Sequence, residues 1–148
     1  MRVLLIRHAH AVESDSLTDD VRWLSVHGRK VARAVGLRLR DEGFIFDAVV
    51  SSPLVRAVQT AELIAIGAGY TGEVLATPAL APGFSARIGS TAIEGLGESV
   101  VVVGHEPSIS QLAGFLVGVT PGGALKKGQV VIIEDGRIAG SIDPDTLV

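Results

Sequence analysis

Two arginines and two histidines stand just after short apolar segments that are far apart in the sequence. Arg7 and His8 directly follow "RVLLI" at the start of the chain. Arg56 stands a few residues after "DAVVSS", and His105 directly follows "SVVVVG". A guanidinium group matches the oxygens of phosphate in bidentate fashion, and a neutral imidazole can attack phosphorus to form a phosphohistidine. These residue types predict an anion site that contains a nucleophile, provided that the fold brings them together.

The apolar segments are predicted to be buried strands that alternate with helices. They are short, continuous and rich in branched residues, which is typical of such strands. The strands are predicted at residues 2–6, 46–52, 73–78 and 99–105, followed by a hairpin over 129–142. The helices are predicted over 25–42, from Pro53, over 86–96 and from Pro107, with Ser25 and Ser52 as caps of the first two. A long polar loop over 9–24 and a turn-rich loop over 78–85 complete the pattern.

This alternation predicts an α/β fold, a three-layer αβα sandwich with a mostly parallel central sheet and the C-terminal hairpin at its edge. Asp135-Gly136 suits the type I′ turn of such a hairpin. In open sheets of this kind, ligands bind beyond the carboxyl ends of the strands. Parallel strands place those ends at one rim, so the two arginines and two histidines are expected to meet there. The arginines disfavour a charged imidazole, so His8 is expected to stay neutral and to keep its lone pair.

The composition limits the class of protein. The chain has 148 residues, 47% of them apolar, and is predicted to form one domain over residues 1–148. Its formal net charge of −3 gives no reason to expect binding to nucleic acid or to a membrane surface. The absence of cysteine removes disulfides and thiolate catalysis. No apolar run approaches the roughly 20 residues of a membrane span, and no convincing signal peptide is found, so we expect a cytoplasmic protein.

Two further histidines and one group of basic side chains are predicted to take no part in the chemistry. His10 and His27 are interpreted as ordinary surface or core histidines. No metal site and no cofactor are predicted, because the sequence has no HExxH pattern and no cysteine to join the histidines. One basic stripe lies on the first helix without interleaved aromatic residues, so it is interpreted as a solvated face rather than a nucleic-acid surface. Its members are Arg29, Lys30, Arg33 and Arg40.

Three segments, "LLIRHAHA", "VVSSPLVRAVQTAE" and "VVVGHEPS", resemble in their order and spacing the histidine phosphatase superfamily, also called phosphoglycerate mutase-like. The resemblance covers nearly the whole chain. It implies that His8 is the nucleophile that accepts the phosphoryl group. It also implies that Arg7 and Arg56 bind that group and that His105 completes the pocket and stabilises the transition state.

Within the superfamily, the short length and the stretch "DDVRWLSVHGRK" are similar to the SixA-type phosphohistidine phosphatases. That group has an arginine followed two residues later by Leu-Ser/Thr and then by a glycine. Arg22 matches this arginine, which implies a further ligand of the substrate phosphoryl group. Trp23 departs from the pattern, because those relatives usually carry proline at this position.

The loop after the third strand contains no acid. Many superfamily members that hydrolyse phosphate esters place an acidic proton donor there, yet "TPALAPGFSARIGS", residues 77–90, has neither Asp nor Glu. An alkoxide needs such a proton, because the pKa of its conjugate acid is on the order of water's 15.7. An imidazole leaves phosphorus more readily, since its pKa is about 6.5. The site is therefore better suited to P–N than to P–O cleavage, although Glu106 could supply a proton instead.

These observations predict a metal-independent phosphatase that removes phosphate from phosphohistidine in a protein through a phosphorylated His8. The partner would be a phosphorylated protein, such as a histidine-containing phosphotransfer domain, because a short chain leaves little room for a cap over the site. The alternatives are a phosphomonoesterase or mutase acting on a small phosphorylated metabolite, and a non-catalytic phosphate-binding sensor. A metallohydrolase is the least favoured alternative.

Overall fold

Six strands and four α-helices alternate along the part of the chain that the computed structural model describes, residues 1–119 and 122–148. The strands are β1 Arg2–Arg7, β2 Ala48–Ser51, β3 Val74–Ala76, β4 Ser99–Gly104, β5 Val130–Glu134 and β6 Arg137–Ile142. The helices are α1 Val26–Asp41, α2 Val55–Ala68, α3 Ala86–Ile93 and α4 Ser108–Val117. None of these helices is both long and apolar enough to pass through a membrane.

The strands form one sheet in the order β3-β2-β4-β1-β5-β6. Strands β3, β2, β4 and β1 are parallel, whereas β5 and β6 are antiparallel to their neighbours. The predicted mostly parallel sheet with a hairpin at its edge is therefore confirmed. In the register, Arg7 lies beside Gly104 and Ser51 beside Val103. The carboxyl ends of β1, β2 and β4 thus stand in line at one rim.

Helices cover both faces of the sheet, which confirms the three-layer architecture. Alternate residues of β1 point to opposite sides, as the period of two requires. Leu4 and Ile6 pack in the core beneath α1 and α2, and Val3 and Leu5 pack in the core beneath α3 and α4. The inner strands are apolar on both faces because both faces are buried.

The first helix begins where the sequence predicts. The hydroxyl of Ser25 accepts a hydrogen bond from the backbone N–H of Gly28 and caps α1. A Cβ atom at Gly28 would clash with the His10 carbonyl, so a glycine here lets the start of the helix approach the loop that follows β1. This contact holds part of the 9–24 loop against the body of the protein.

The predicted start of the second helix is wrong. The helix begins at Val55 with Leu54 as its N-cap, two residues later than predicted at Pro53. Leu54 is extended, with φ −66° and ψ 143°, so the helix cannot include it. The Ser52 hydroxyl accepts a hydrogen bond from the Leu54 N–H, so it organises a turn before the helix rather than the helix itself.

The third helix and third strand are shorter than predicted, and the hairpin turn is as predicted. Helix α3 ends at Ile93, and β3 is a three-residue strand at the edge of the sheet. At the hairpin, Asp135 and Gly136 have φ values of 49° and 77°. Positive φ at both central residues is what a type I′ turn requires.

Candidate active site

A cavity of about 270 Å³ opens at the rim where β1, β2 and β4 end. All five residues that the sequence analysis proposed for the site line it, although they come from four separate segments. The lining residues are Arg7, His8, Ala11, Arg22, Arg56, Pro82, His105, Glu106 and Lys127. His10 and His27 do not line it.

The two histidines of the cavity are neighbours. Their ring centroids are 5.1 Å apart and the ring planes are tilted by 55°. His8 is 7% exposed and His105 is 4% exposed. The backbone register produces this contact, because the N–H of His8 donates to the carbonyl of Gly104 at 3.0 Å, directly before His105. Two adjacent parallel strands thus bring together residues that are about two thirds of the chain apart in sequence.

The hydrogen bonds of His8 show which of its ring nitrogens carries the lone pair. Its Nδ1 lies 2.8 Å from the carbonyl oxygen of Ala9. A carbonyl oxygen can only accept, so Nδ1 carries the proton in the neutral ring and Nε2 carries the lone pair. That Nε2 faces the guanidinium of Arg56, whose Nε is 3.4 Å away. The Nε2 lone pair therefore accepts from Arg56 and points toward its guanidinium.

His105 is held by a serine from the neighbouring strand end. Its Nε2 lies 2.7 Å from the hydroxyl oxygen of Ser52. Ser52 is fully buried, and its own backbone N–H donates to the carbonyl of Val103 at 3.0 Å. The sequence predicts a helix cap for Ser52, whereas in the structure its hydroxyl orients the imidazole of His105.

Burial keeps both imidazoles neutral. It lowers the pKa of His8 to about 3, with further lowering by His105, Arg56 and Arg7. It lowers the pKa of His105 to about 4, and Arg56 adds to that effect. The sequence analysis predicted a neutral His8 from the neighbouring arginines. The direction agrees, but the larger cause is loss of hydration, which the sequence did not show.

The two lowered pKa values predict a loss of stability in mild acid. Between pH 6.5 and about 4, these histidines take up protons in the unfolded chain but not in the folded chain. The free energy of unfolding therefore decreases as the pH is lowered through this range. The slope is at most about 1.4 kcal/mol per pH unit for each histidine. Denaturant unfolding of wild type and His8→Gln at pH 7.5 and 4.5 should show a smaller decline for the variant. The exposed His27→Gln should decline like wild type, and equal declines in all three proteins would contradict the prediction.

An acidic residue of the 9–24 loop joins two of the arginines. Asp19 Oδ2 accepts from Arg56 Nη2 at 3.1 Å, and its carbonyl oxygen accepts from Arg56 Nη1 at 2.7 Å. Its Oδ1 accepts from Arg22 Nε and Nη2 at 3.2 and 3.0 Å. The hydrogen bond with Arg56 is the main reason that the pKa of Asp19 is lowered. Sequence reasoning missed this residue, although its spacing of three from Arg22 is that of an ion pair on a helical turn.

Arg56 is also supported from beneath by its own helix. The hydroxyl of Thr60 donates to the carbonyl of Arg56 at 2.7 Å and accepts from the N–H of Ala9 at 3.1 Å. Thr60 therefore ties the first turn of α2 to the residue that follows His8. These buried hydrogen bonds fix the backbone of Arg56 relative to the backbone that follows His8.

Arg7 has a polar atom that lacks an acceptor. Its Nη1 donates to the carbonyl of Leu125 at 2.8 Å. Its Nε is buried and, among the described residues, has no hydrogen-bond partner. A buried donor without a partner is unfavourable by about 1–3 kcal/mol.

The loop after β3 reaches the cavity through Pro82 and not through an acid. The acidic residue that lines the cavity is Glu106. Its carboxylate accepts hydrogen bonds from Ser110, in the first turn of α4. Its Oε1 accepts from the Ser110 N–H at 3.1 Å, and the Ser110 hydroxyl lies 2.7 and 2.6 Å from its two oxygens. Within residues 1–119 and 122–148, no group of three or more His, Cys, Asp or Glu side chains could hold a metal ion.

Comparison with known sequences identifies one family. The model of the histidine phosphatase superfamily (branch 1) matches residues 3–81. Among curated proteins, the serine/threonine-protein phosphatase Pgam5, mitochondrial, of Drosophila willistoni is 40% identical over 62 residues, 42% of this chain. The corresponding protein of Drosophila grimshawi is 39% identical over a segment of the same length. The matched segment spans 21% of the length of each of these relatives.

Comparison with solved structures shows the same fold over the full chain. The protein histidine phosphatase SixA complexed with tungstate gives a TM-score of 0.91 at 24% identity and covers 100% of both chains. The putative phosphohistidine phosphatase SixA from Agrobacterium tumefaciens gives 0.82 at 20% identity and covers 97% of each chain. A phosphoserine phosphatase mutant from Entamoeba histolytica gives 0.74 at 16% identity and covers 99% of each. Proteins named for different substrates thus share this fold.

Proposed function

The chain belongs to branch 1 of the histidine phosphatase superfamily, and from this membership and the site we propose that it is a phosphatase that removes phosphate from phosphohistidine in a protein. The proposal makes His8 the nucleophile and needs no metal ion. Arg7, Arg22 and Arg56 bind the phosphoryl group, and His105 completes the pocket.

The reaction has two steps. In the first, Nε2 of His8 attacks phosphorus in line, a bond forms between Nε2 and phosphorus, and the bond between phosphorus and the substrate imidazole breaks. The electron pair of that bond stays on the departing ring nitrogen. In the second step, the oxygen of water attacks phosphorus, and the bond between phosphorus and Nε2 breaks with its electron pair returning to Nε2. The protons of the water leave with the inorganic phosphate, and the neutral imidazole of His8 is restored. The cations stabilise the charge that spreads over the equatorial oxygens in both steps.

The positions of the acidic residues are the observation that favours cleavage of a P–N bond over cleavage of a P–O bond. The loop after β3 lines the cavity with Pro82. Asp19 is held by two arginines and its pKa is lowered, so it is a poor proton donor at neutral pH. Glu106 is held by Ser110. An imidazole can leave without a proton donor from the enzyme. An alkoxide leaving group requires such a donor, which increases the reaction rate by about 10²–10⁴-fold.

The size of the cavity supports a protein substrate. At about 270 Å³ it lies just below the roughly 300–1,000 Å³ of sites that enclose a whole small ligand. It can admit a phosphoryl group and the side chain that carries it, while the rest of the substrate remains outside. A phosphohistidine on a protein surface meets this condition, and a histidine-containing phosphotransfer domain is one partner of that kind.

The second candidate is hydrolysis of phosphate esters. The identity of 40% with a protein named as a serine/threonine-protein phosphatase favours it, although that match covers 42% of the chain. In that case Glu106, which lines the cavity, would be the proton donor. A small phosphorylated metabolite, as in a monoesterase or mutase, and a sensor without turnover are further alternatives.

The two main candidates differ in the leaving group, so a matched pair of substrates separates them. We expect kcat/KM for a phosphohistidine peptide to exceed that for the same peptide with phosphoserine by at least about 10²-fold, because the ester lacks its proton donor. Release of inorganic phosphate should be measured with and without a chelator, and we expect the chelator to have no effect. A preference for the phosphoserine peptide would overturn the proposal in favour of the ester phosphatase.

A further inference from the structure

Lys127 differs from the other three cations of the cavity because it has no partner among the described residues. Arg7 donates to a backbone carbonyl, and Arg22 and Arg56 share the carboxylate of Asp19. Lys127 lines the same cavity, is exposed, and within residues 1–119 and 122–148 makes neither a hydrogen bond nor an ion pair through its ammonium group. Its charge is therefore available to a ligand.

The backbone on either side of Lys127 is fixed to the end of β1. The Arg7 guanidinium donates to the carbonyl of Leu125 at 2.8 Å, and the Gly128 N–H donates to the carbonyl of Arg7 at 2.9 Å. Gly128 has φ of 84°, which lets the chain turn immediately after the lysine. The position of Lys127 is thus set by Arg7, a residue proposed to bind the phosphoryl group.

The adjacent lysine has a different role. The ammonium group of Lys126 lies 2.8 Å from Asp143 and 3.0 Å from Asp145, so it ties this segment to the C-terminal turn. The two lysines are adjacent in the chain and carry the same charge, but only Lys127 lines the cavity. Lys127 also lies outside residues 3–81, the part that matches the family model.

We propose that Lys127 determines specificity by binding a carboxylate that neighbours the phosphohistidine on the substrate. A lysine is a compact charge on a flexible stem with three donors, which suits an acceptor whose position varies from one substrate to another. Arg7 and Arg22 are half-buried and Arg56 is buried. Lys127 is exposed, so of these four cations it is the one that a substrate group outside the phosphoryl site can reach. The preferred substrates then carry Asp or Glu beside the phosphorylated histidine. This inference rests on the proposed function.

A binding measurement tests the inference without depending on turnover. Two peptides would carry a stable phosphohistidine analogue and differ only in having Glu or Gln residues beside it. By calorimetry we expect wild type to bind the Glu peptide about fivefold more tightly, the upper range for an ion pair open to solvent. In Lys127→Ala the ratio of the two dissociation constants should fall to about one, whereas Lys126→Ala should keep the wild-type ratio. At about 1 M salt the wild-type ratio should also fall, because the Debye length shortens to about 3 Å.

The outcomes separate this inference from the proposed function. Equal binding of the two peptides by wild type, or an unchanged ratio in Lys127→Ala, would overturn the role of Lys127 while leaving the phosphatase proposal intact. If wild type shows the expected ratio but does not hydrolyse the corresponding phosphohistidine peptides, the proposed function fails and the role of Lys127 stands. Failure to bind either peptide would overturn both.

Discussion

Replacement of His8 by alanine should lower turnover of a phosphohistidine peptide by roughly 10⁴-fold or more, as loss of a nucleophile does in other enzymes. The reason is geometric. The Nδ1 of His8 is committed to the Ala9 carbonyl, which leaves the Nε2 lone pair facing the cavity beside Arg56. The imidazole makes one hydrogen bond to the backbone, at the Ala9 carbonyl, whereas the pairing of β1 with β4 uses backbone atoms alone, so the variant is expected to fold. Phosphate release and the circular dichroism spectrum would be measured together.

Two further measurements make the His8 result specific. Incubation of wild type with labelled substrate should produce an acid-labile phosphoprotein, and His8→Ala should not form it. His27→Ala removes an exposed imidazole that does not line the cavity, so it should retain wild-type turnover. Wild-type turnover by a folded His8→Ala protein would exclude the phosphoenzyme mechanism.

Replacement of Arg56 by alanine should lower kcat/KM by about 10²–10³-fold, the loss associated with removal of one preorganised donor from an anion site. Arg56 is 6% exposed, and its guanidinium contacts both His8 and Asp19. Burial strengthens its interaction with a phosphoryl group, because a less polar environment screens charge less than water does. Steady-state kinetics on the phosphohistidine peptide would measure the loss.

Three other variants show which property of Arg56 accounts for the loss of activity: the bidentate geometry of its guanidinium, its charge, or its contact with Asp19. Arg56→Lys keeps the charge but loses bidentate geometry, so its activity should lie between those of wild type and Arg56→Ala. Asp19→Asn keeps Arg56 and weakens the contact, so it should lose much less activity than Arg56→Ala. Arg33→Ala removes an exposed cation from α1 and should behave like wild type. A loss as large in Asp19→Asn as in Arg56→Ala would mean that the ion pair, rather than the cation, is the essential feature.

The rim of the sheet could be predicted because the local sequence indicates which segments are strands and in which direction they run. Continuous apolar runs indicate strands buried on both faces, and helices between them require parallel neighbours. The carboxyl ends of such strands share one edge, which places His8 and His105 at the same rim. The strand order, with β4 next to β1, makes them neighbours. The observed register, with Arg7 opposite Gly104, agrees with that expectation.

The start of α2 could not be predicted from capping rules alone. Ser52 and Pro53 are good residues for a helix start. In the structure the Ser52 hydroxyl lies 2.7 Å from His105, a residue from another strand, and the helix begins only at Val55. A local preference was overridden by a contact between residues 53 positions apart.

The amino-acid sequence by itself determined which side chains stand at the strand ends, because apolar periodicity and chain direction are local properties. It therefore identified Arg7, His8, Arg56 and His105 as residues of one rim, and the resemblance to the family added Arg22. Only the tertiary structure decided that Asp19 joins two of those arginines and that Lys127 and Pro82 complete the wall. It also decided that burial is the main cause of the lowered histidine pKa values. Loop contacts and loss of hydration depend on which distant segments pack together, and no local pattern records that packing.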